Sequence, residues 1–367
     1  MQNSSATFSG FDNITYSKDD VERFAFVIQS GDAANTDMYF TDMVLGNYED
    51  GDAAGFTENY GTAFIVNFGG DRGQYMMSYN TEKAYVQDGK NGSTKLTSIA
   101  DNFNAWSLKL CGFNGITSDD LGKAYSLWVY NANDQIVRLF DTGVSGTTPS
   151  NTFDIAPHSW AYWAWNLRDI NDSTKIGGAS GKLYEKTAVT EIGLTVEGLN
   201  LTTKSIYFGS LVGGNYESDA AEFDKEYGSA FITAFGSEKG SVNLAYNTDE
   251  AYKEAGAKGS TKFTFTAEKD SFNAKICGIS AKLNGKTVQL WVYNPNSYAI
   301  KIKDGSNTTT IEAGKSGWVT LTVSTTGRKG EGAYGVWSTN VSNAEGGKLA
   351  VGDGVYFGSM KVAEENA

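Results

Sequence analysis

The side chains that could do chemistry in this chain are its acids and its aromatic rings. The usual catalytic and metal-binding types are nearly missing. The 367 residues include one histidine, His158, and two cysteines, Cys111 and Cys277. A Ser-His-Asp triad or a multi-histidine metal site cannot be repeated around one imidazole, so His158 reads as a turn or surface residue. No G-x-S-x-G, phosphate-binding loop or C-x-x-C is written. Glycoside hydrolysis needs only two carboxylates, and Glu222-Phe223-Asp224-Lys225-Glu226 sets three acids close together. The matching stretch of the first half, Gly55-Phe56-Thr57-Glu58-Asn59, keeps one of them, and both stretches run into Tyr-Gly. Solvated loop or helical turn is the expectation there, with a β-sandwich glycosidase as the alternative. No cofactor is expected. Asp and Glu are plentiful enough for a structural calcium, although no Asp-x-Asp-x-Asp-Gly loop occurs.

The rings suit a different chemistry. A sugar shows an apolar C–H face that stacks on a flat aromatic ring, while polar side chains take its hydroxyls. Trp160-Ala161-Tyr162-Trp163-Ala164-Trp165 is denser in rings than a core strand requires. Its counterpart in the second half is Ser316-Gly317-Trp318-Val319-Thr320-Leu321. There Val319, Leu321 and Val323 share one face and read as buried, which carries over to Trp163, Trp165 and Leu167. The other face then holds Trp160, Tyr162 and Trp318. These three are the first candidates for a carbohydrate site, and packing at a junction between the two halves is the alternative for the same rings. Tyr334 and Trp337, in a glycine-flanked segment, join them as candidates. Tyr48 and Tyr216 suit turn packing better. Trp128, Tyr130, Trp291 and Tyr293 lie on strands apolar on both sides and read as core, as does Trp106.

The elements that must position these rings come in two copies. Tyr79-Asn80-Thr81-Glu82-Lys83-Ala84-Tyr85 matches Tyr246-Asn247-Thr248-Asp249-Glu250-Ala251-Tyr252. Gly92-Ser93-Thr94-Lys95 matches Gly259-Ser260-Thr261-Lys262, and Leu127-Trp128-Val129-Tyr130-Asn131 returns unchanged at 290–294. So many ordered matches define a duplicated unit of about 160 residues. Period-2 runs such as Lys262-Phe263-Thr264-Phe265-Thr266 predict strands. The best helical stretches are 81–87 and 248–254, each opening on a threonine cap. The expected fold is all-β: two related, tandem β-sandwich lobes of jelly-roll type, fused into one bilobed unit with few short helices. The lobes are expected at 1–200 and 201–367. A third partial copy, Met38-Tyr39-Phe40-Thr41-Asp42-Met43, resembles Ile206-Tyr207-Phe208-Gly209-Ser210-Leu211 and Val355-Tyr356-Phe357-Gly358-Ser359-Met360. It belongs to a closing ribbon at 11–43, expected to dock on the first lobe.

Composition narrows the partners. A net charge of −13 repels a phosphate backbone, so nucleic acid is not expected. No stretch has the roughly 18 apolar residues of a membrane helix, and no signal peptide is written at the start. Matching cysteine positions in the two copies exclude a disulfide within either one. The fused unit is expected to be a monomer.

The Tyr-Phe-Gly-Ser ribbon, the Leu-Trp-Val-Tyr-Asn strand and the duplicated sandwich resemble carbohydrate-binding modules on surface proteins of gut Firmicutes. More narrowly, the chain is similar to the starch adherence proteins of ruminococcal amylosomes. That resemblance implies a secreted or cell-surface, non-catalytic binder of starch or another α-1,4-glucan, held at or between the lobes. A structural or adhesive surface protein with protein partners is the competing reading.

Overall fold

A computed structural model describes residues 7–9, 15–17, 43, 51–67, 75–98, 105–113, 124–141, 151–166, 168–169, 175–177, 183–185, 191–198, 205–214, 219–279, 283, 285–305, 307–323 and 336–363. The first part runs through β1 (Thr7–Ser9), β2 (Thr15–Ser17), α1 (Asp52–Tyr60), β3 (Ile65–Asn67), β4 (Tyr75–Asn80), β5 (Ser93–Ser98), β6 (Ala105–Cys111), β7 (Ala124–Asn131), β8 (Val137–Asp141), β9 (Asn151–Ile155) and β10 (Ser159–Asn166). It continues with β11 (Arg168–Asp169), β12 (Lys175–Gly177), β13 (Leu183–Glu185), β14 (Glu191–Gly198) and β15 (Ser205–Gly214). The second part holds α2 (Asp219–Tyr227), β16 (Ile232–Phe235), β17 (Val242–Asn247), β18 (Ser260–Phe265), β19 (Ser271–Cys277), β20 (Thr287–Asn294), β21 (Ile300–Asp304), β22 (Asn307–Ile311), β23 (Lys315–Thr322), β24 (Val336–Asn343) and β25 (Gly354–Val362).

Each copy is a sandwich of two five-stranded layers. In module A the order is β10-β7-β15-β5-β4 in one layer and β3-β6-β14-β8-β9 in the other. Module B repeats it strand for strand, as β23-β20-β25-β18-β17 and β16-β19-β24-β21-β22. Alternation puts the apolar residues between the layers. Leu127, Val129, Trp163 and Phe208 pack toward Trp106, Leu108 and Leu194 in A, and Leu290, Val292, Val319 and Phe357 toward Phe272, Ile276 and Val341 in B; all are buried. The two-lobed, all-β reading of the sequence describes this architecture.

The division between modules differs from the one expected. β15, with its Tyr207-Phe208-Gly209-Ser210 run, pairs with β5 and β7 and so completes module A. The boundary therefore falls after Gly214, not at residue 200, and the ribbon closing each body is the one that follows it in the chain. A central strand flanked on both sides buries more apolar area than an edge strand, which favours this closure. The ribbon at 11–43 lies outside the described residues apart from Thr15–Ser17, which pairs with β1.

The modules share a sheet. β9, the edge of one A layer, pairs antiparallel with β16 and parallel with β17. That layer and both layers of B thereby form one 15-stranded sheet.

The helices also differ from expectation. The stretches 81–87 and 248–254 hold only 3-10 turns, Lys83–Tyr85 and Glu250–Tyr252. Among the described residues the α-helices are Asp52–Tyr60 and Asp219–Tyr227. Their repeated Tyr-Gly end is a left-handed cap: Gly61 and Gly228 have φ of 74° and 70°. Their N–H groups donate to the carbonyls of Thr57 (2.8 Å) and Asp224 (2.6 Å).

Candidate functional site

The register of the β10-β7-β15-β5-β4 layer sets one row of side chains across the face turned away from the sandwich core. Ser78 pairs with Lys95, Lys95 with Tyr207, Tyr207 with Tyr130, and Tyr130 with Trp160. Paired residues on neighbouring strands point to the same face, so a lysine, two tyrosines and a tryptophan stand side by side. Module B repeats the row as Ala245, Lys262, Tyr356, Tyr293 and Ser316. A further tyrosine lies over each row from the 3-10 turn after the first strand. Tyr85 stacks on Tyr207 with centroids 4.3 Å apart and planes 13° from parallel; Tyr252 stacks on Tyr356 at 4.7 Å and 16°. Tyr130 lies 5.5 Å from Tyr85, and Tyr293 lies 5.5 Å from Tyr252. The ammonium groups of Lys95 and Lys262 sit 5.8 and 5.6 Å from the centroids of Tyr207 and Tyr356.

Local hydrogen bonds fix this geometry in both copies. The Ser93 hydroxyl donates to the Tyr85 carbonyl at 2.7 Å and takes a bond from Asn80 Nδ2; Ser260, Tyr252 and Asn247 repeat the pattern. At the far end of β7, buried Asn131 donates to the carbonyls of Gln135, Ile155 and Ala156 and accepts from the Asn133 backbone N–H. Asn294 does the same with Tyr298, Ile311, Glu312 and Asn296. The glycine of Tyr-Phe-Gly-Ser sits where the pairing with β7 or β20 shifts register. A Cβ on Gly358 would come within 2.7 Å of the Trp291 ring, so the row's tryptophan neighbour requires glycine there.

Burial favours the neutral phenol at three of the row tyrosines. Burial, then nearby Tyr252, Asp249 and Tyr293, push Tyr356 up to about 12. Burial raises Tyr207 and Tyr130 as well, each helped by Tyr85. Each row sets aromatic rings and phenolic hydroxyls beside one lysine. Such a surface can stack on an apolar ring face and hydrogen-bond to neutral hydroxyls.

The residues singled out from sequence are spread over three settings. Trp160 belongs to the row, half-buried, its ring 5.5 Å from Tyr130. Tyr162 is not an outward ring. Its hydroxyl is buried at the joint between modules, where it donates to the Ala230 carbonyl at 2.6 Å and lies 2.9 Å from Ser229 Oγ and 2.6 Å from Thr261 Oγ1. Helix α2 and β17 of module B cover that part of the face, so the ring that alternation turns outward is buried by the neighbouring module. Trp318 occupies the matching place in B, opposite Trp291, and is half-buried with the Lys361 ammonium 3.9 Å over its ring. Trp337 lies on β24 opposite Ile276. Tyr334, Tyr48 and Tyr216 lie outside the described residues.

Trp128 and Trp291 are buried as expected, but Tyr130 and Tyr293 are half-buried members of the outer rows rather than core. An apolar run on both faces of a strand marked a covered strand correctly. It could not say that the cover on one face thins out at the tyrosine. The readable signal was the joint recurrence of Tyr85, Lys95, Tyr130 and Tyr207 with Tyr252, Lys262, Tyr293 and Tyr356.

The acid cluster lies on α2. Asp224 is buried and accepts from the Met360 backbone N–H at 2.6 Å, while Glu226 is exposed. His158 is an exposed turn residue at φ 49°, with Nε2 2.9 Å from Asp134 Oδ1. Among the described residues no group of three or more His, Cys, Asp and Glu is placed to hold a metal ion, and no helix is long and apolar enough to cross a membrane.

The arrangement is thus a duplicated β-sandwich carrying a twinned tyrosine row. No known family matches the chain, and no curated protein does. Solved structures with a similar arrangement include a family 11 carbohydrate-binding module from Clostridium thermocellum in complex with a mixed-linked β-1,3-1,4 tetrasaccharide. It is 9% identical over 40% of this chain and 86% of that one, at a TM-score of 0.24. An arabinose-bound α-L-arabinofuranosidase is 12% identical over 43% of this chain at a TM-score of 0.28, and the chain spans only 26% of its length. A protein of Sulfolobus turreted icosahedral virus is 14% identical over 91% of this chain and 67% of that one, at 0.32. At TM-scores this low the likenesses carry no functional argument.

Proposed function

We propose that the protein is a non-catalytic polysaccharide-binding protein of the cell surface or the secreted space, with α-1,4-glucan as its ligand, and that each tyrosine row is one binding site. The observation that carries this reading is the preservation of Lys, two row tyrosines and a stacked turn tyrosine in both modules, at centroid distances agreeing within about half an ångström. The half-buried members, Tyr85 and Tyr130 with Tyr252 and Tyr293, lie over buried Tyr207 and Tyr356 and offer both the rings and the hydroxyls a sugar needs. The negative net charge is no obstacle to a neutral glycan. Pairing two weak sites raises avidity when one chain reaches both. Tyr85 and Tyr252 are the rings to remove first, because they are half-buried and sit on short turns. Native gels containing soluble starch are expected to retard the wild type, to retard Tyr85→Ala and Tyr252→Ala less, and to pass the double variant freely. Equal retardation of all four would overturn the site. An overnight reducing-sugar assay is expected to show no release.

A further inference from the structure

The joint between the modules uses two surfaces, and each recurs on the other module, where Tyr60 and Tyr79 of the one are exposed and Trp318 of the other is half-buried over buried Trp291. The A side is a socket: Trp128 and Tyr162, with Gln87 beside them. The B side is a plug: Phe223 and Tyr227 of α2 and Tyr246 of β17. Trp128 packs 4.9 Å from both Tyr227 and Tyr246, and Gln87 Nε2 donates to the Tyr227 hydroxyl at 3.2 Å.

Module A carries its own plug, Phe56, Tyr60 and Tyr79, in the same pose. Tyr60 and Tyr79 lie 6.3 Å apart at 83°, and Tyr227 and Tyr246 lie 6.3 Å apart at 84°. Phe56–Tyr60 and Phe223–Tyr227 are both at 4.6 Å. Tyr79 donates to the Tyr60 carbonyl at 2.9 Å as Tyr246 donates to that of Tyr227 at 2.8 Å. The hydroxyl pair that meets Tyr162, Ser229 and Thr261 at 2.7 Å, recurs as Thr62 and Thr94 at 2.7 Å. In A this plug faces solvent, with Tyr60 36% and Tyr79 51% exposed. At the other end of the chain, module B carries the socket, with Trp291, the half-buried Trp318 and Glu254 in place of Trp128, Tyr162 and Gln87.

We infer that a second copy of this chain docks its module A plug into the module B socket, so that chains associate head to tail. The occupant follows from continuity with the internal joint, which is this same contact made within one chain. Three further features agree. An indole N–H at Trp318 is a donor that suits the half-buried Thr94 hydroxyl. The strands that pair across the joint, β9 with β16 and β17, have counterparts β22, β3 and β4 that end their layers among the described residues. Charge also changes in a complementary way where α2 meets β15: Lys225 becomes Glu58 in α1, and Val212 becomes Lys361 in β25. The contact is weaker than the internal joint, since Asp154, which accepts from the Gly240 N–H there, becomes Thr310. A heterologous contact of this kind gives open chains rather than closed dimers. It replaces the expectation of a monomer.

Sedimentation velocity of the full chain without glycan tests this. The weight-average mass is expected to rise with concentration past the dimer. Trp318→Ala and Tyr79→Ala are each expected to hold it at the monomer, while an equimolar mixture of the two forms dimers and nothing larger, because each keeps one good face. Lys361→Glu, an exposed change that does not threaten folding, is expected to weaken association at least threefold, and Glu58→Lys on the same chain to restore it. A wild type monomeric at every concentration, or association that neither face variant reduces, would overturn the proposal. Glycan-dependent association alone would count against it as well.

Discussion

Modules A and B have the same strands and nearly the same rings, yet they are covered differently. In A, the outer face beside Trp128 is sealed by α2 and β17 of the next module. In B, the same place is left to Trp318 under a lysine. The tyrosine row beside it is the same in both. The face therefore differs along its length: the tryptophan end is covered in A by the neighbouring module, while at the tyrosine end Tyr85, Tyr130, Tyr252 and Tyr293 are half-buried over buried Tyr207 and Tyr356 in both. A residue's type gave its face, and only its neighbours gave its exposure.

The largest expected effect lies at the joint. Tyr162→Ala removes a fully buried ring and a three-way hydrogen bond, and should cost about 3–5 kcal/mol in urea unfolding. Trp318→Ala at the matching, half-exposed place should cost less than about 1 kcal/mol. Equal losses would erase the contrast between the two modules. Alkaline pH probes the same phenol. Burial pushes Tyr162 up to about 12, so the folded chain keeps a proton that the unfolded chain gives up near the usual ~10. Its contribution to stability is whole below about pH 10 and is lost as pH rises through about 12. Tyr162→Phe should flatten that decline by up to about 1.4 kcal/mol per pH unit.

Next in size are the two asparagines, where the modules should agree rather than differ. Asn131→Ala and Asn294→Ala each leave three carbonyls and an N–H without their partner. Each should cost a similar amount, on the order of 2–4 kcal/mol. A twofold disparity would show that the repeated bonds hide unequal strain. The smallest effect is chemical. Cys277 is buried, which pushes its thiol up to about 12, while Cys111 at the same strand position is only half-buried. A thiol reagent on the native protein should label Cys111 slowly and Cys277 not at all before unfolding.

Much of this was legible in the sequence. The repeat and its period-2 runs gave two β-sandwich lobes, and in-phase Val319, Leu321 and Val323 gave the buried side of β23. The Tyr-Gly ends were visible too, but as the end of a loop or helical turn rather than as the cap of a nine-residue helix, which leaves too few periods to read. Tyr162 was misplaced for a sharper reason. Alternation assigns a side chain to a face of its own sheet, and nothing local says that another module lies on that face. The same limit hid the site: Tyr85 and Tyr207 are 122 positions apart in sequence and stack only once β15 enters between β5 and β7.

Calorimetric titration of maltoheptaose, against cellohexaose as control, tests the central claim that each row is one glucan site. Two maltoheptaose molecules per wild-type chain are expected, one for Tyr85→Ala or Tyr252→Ala alone, and none for the double variant, with little heat from cellohexaose throughout. A double variant that still binds two would contradict the account, as would a wild type that binds none.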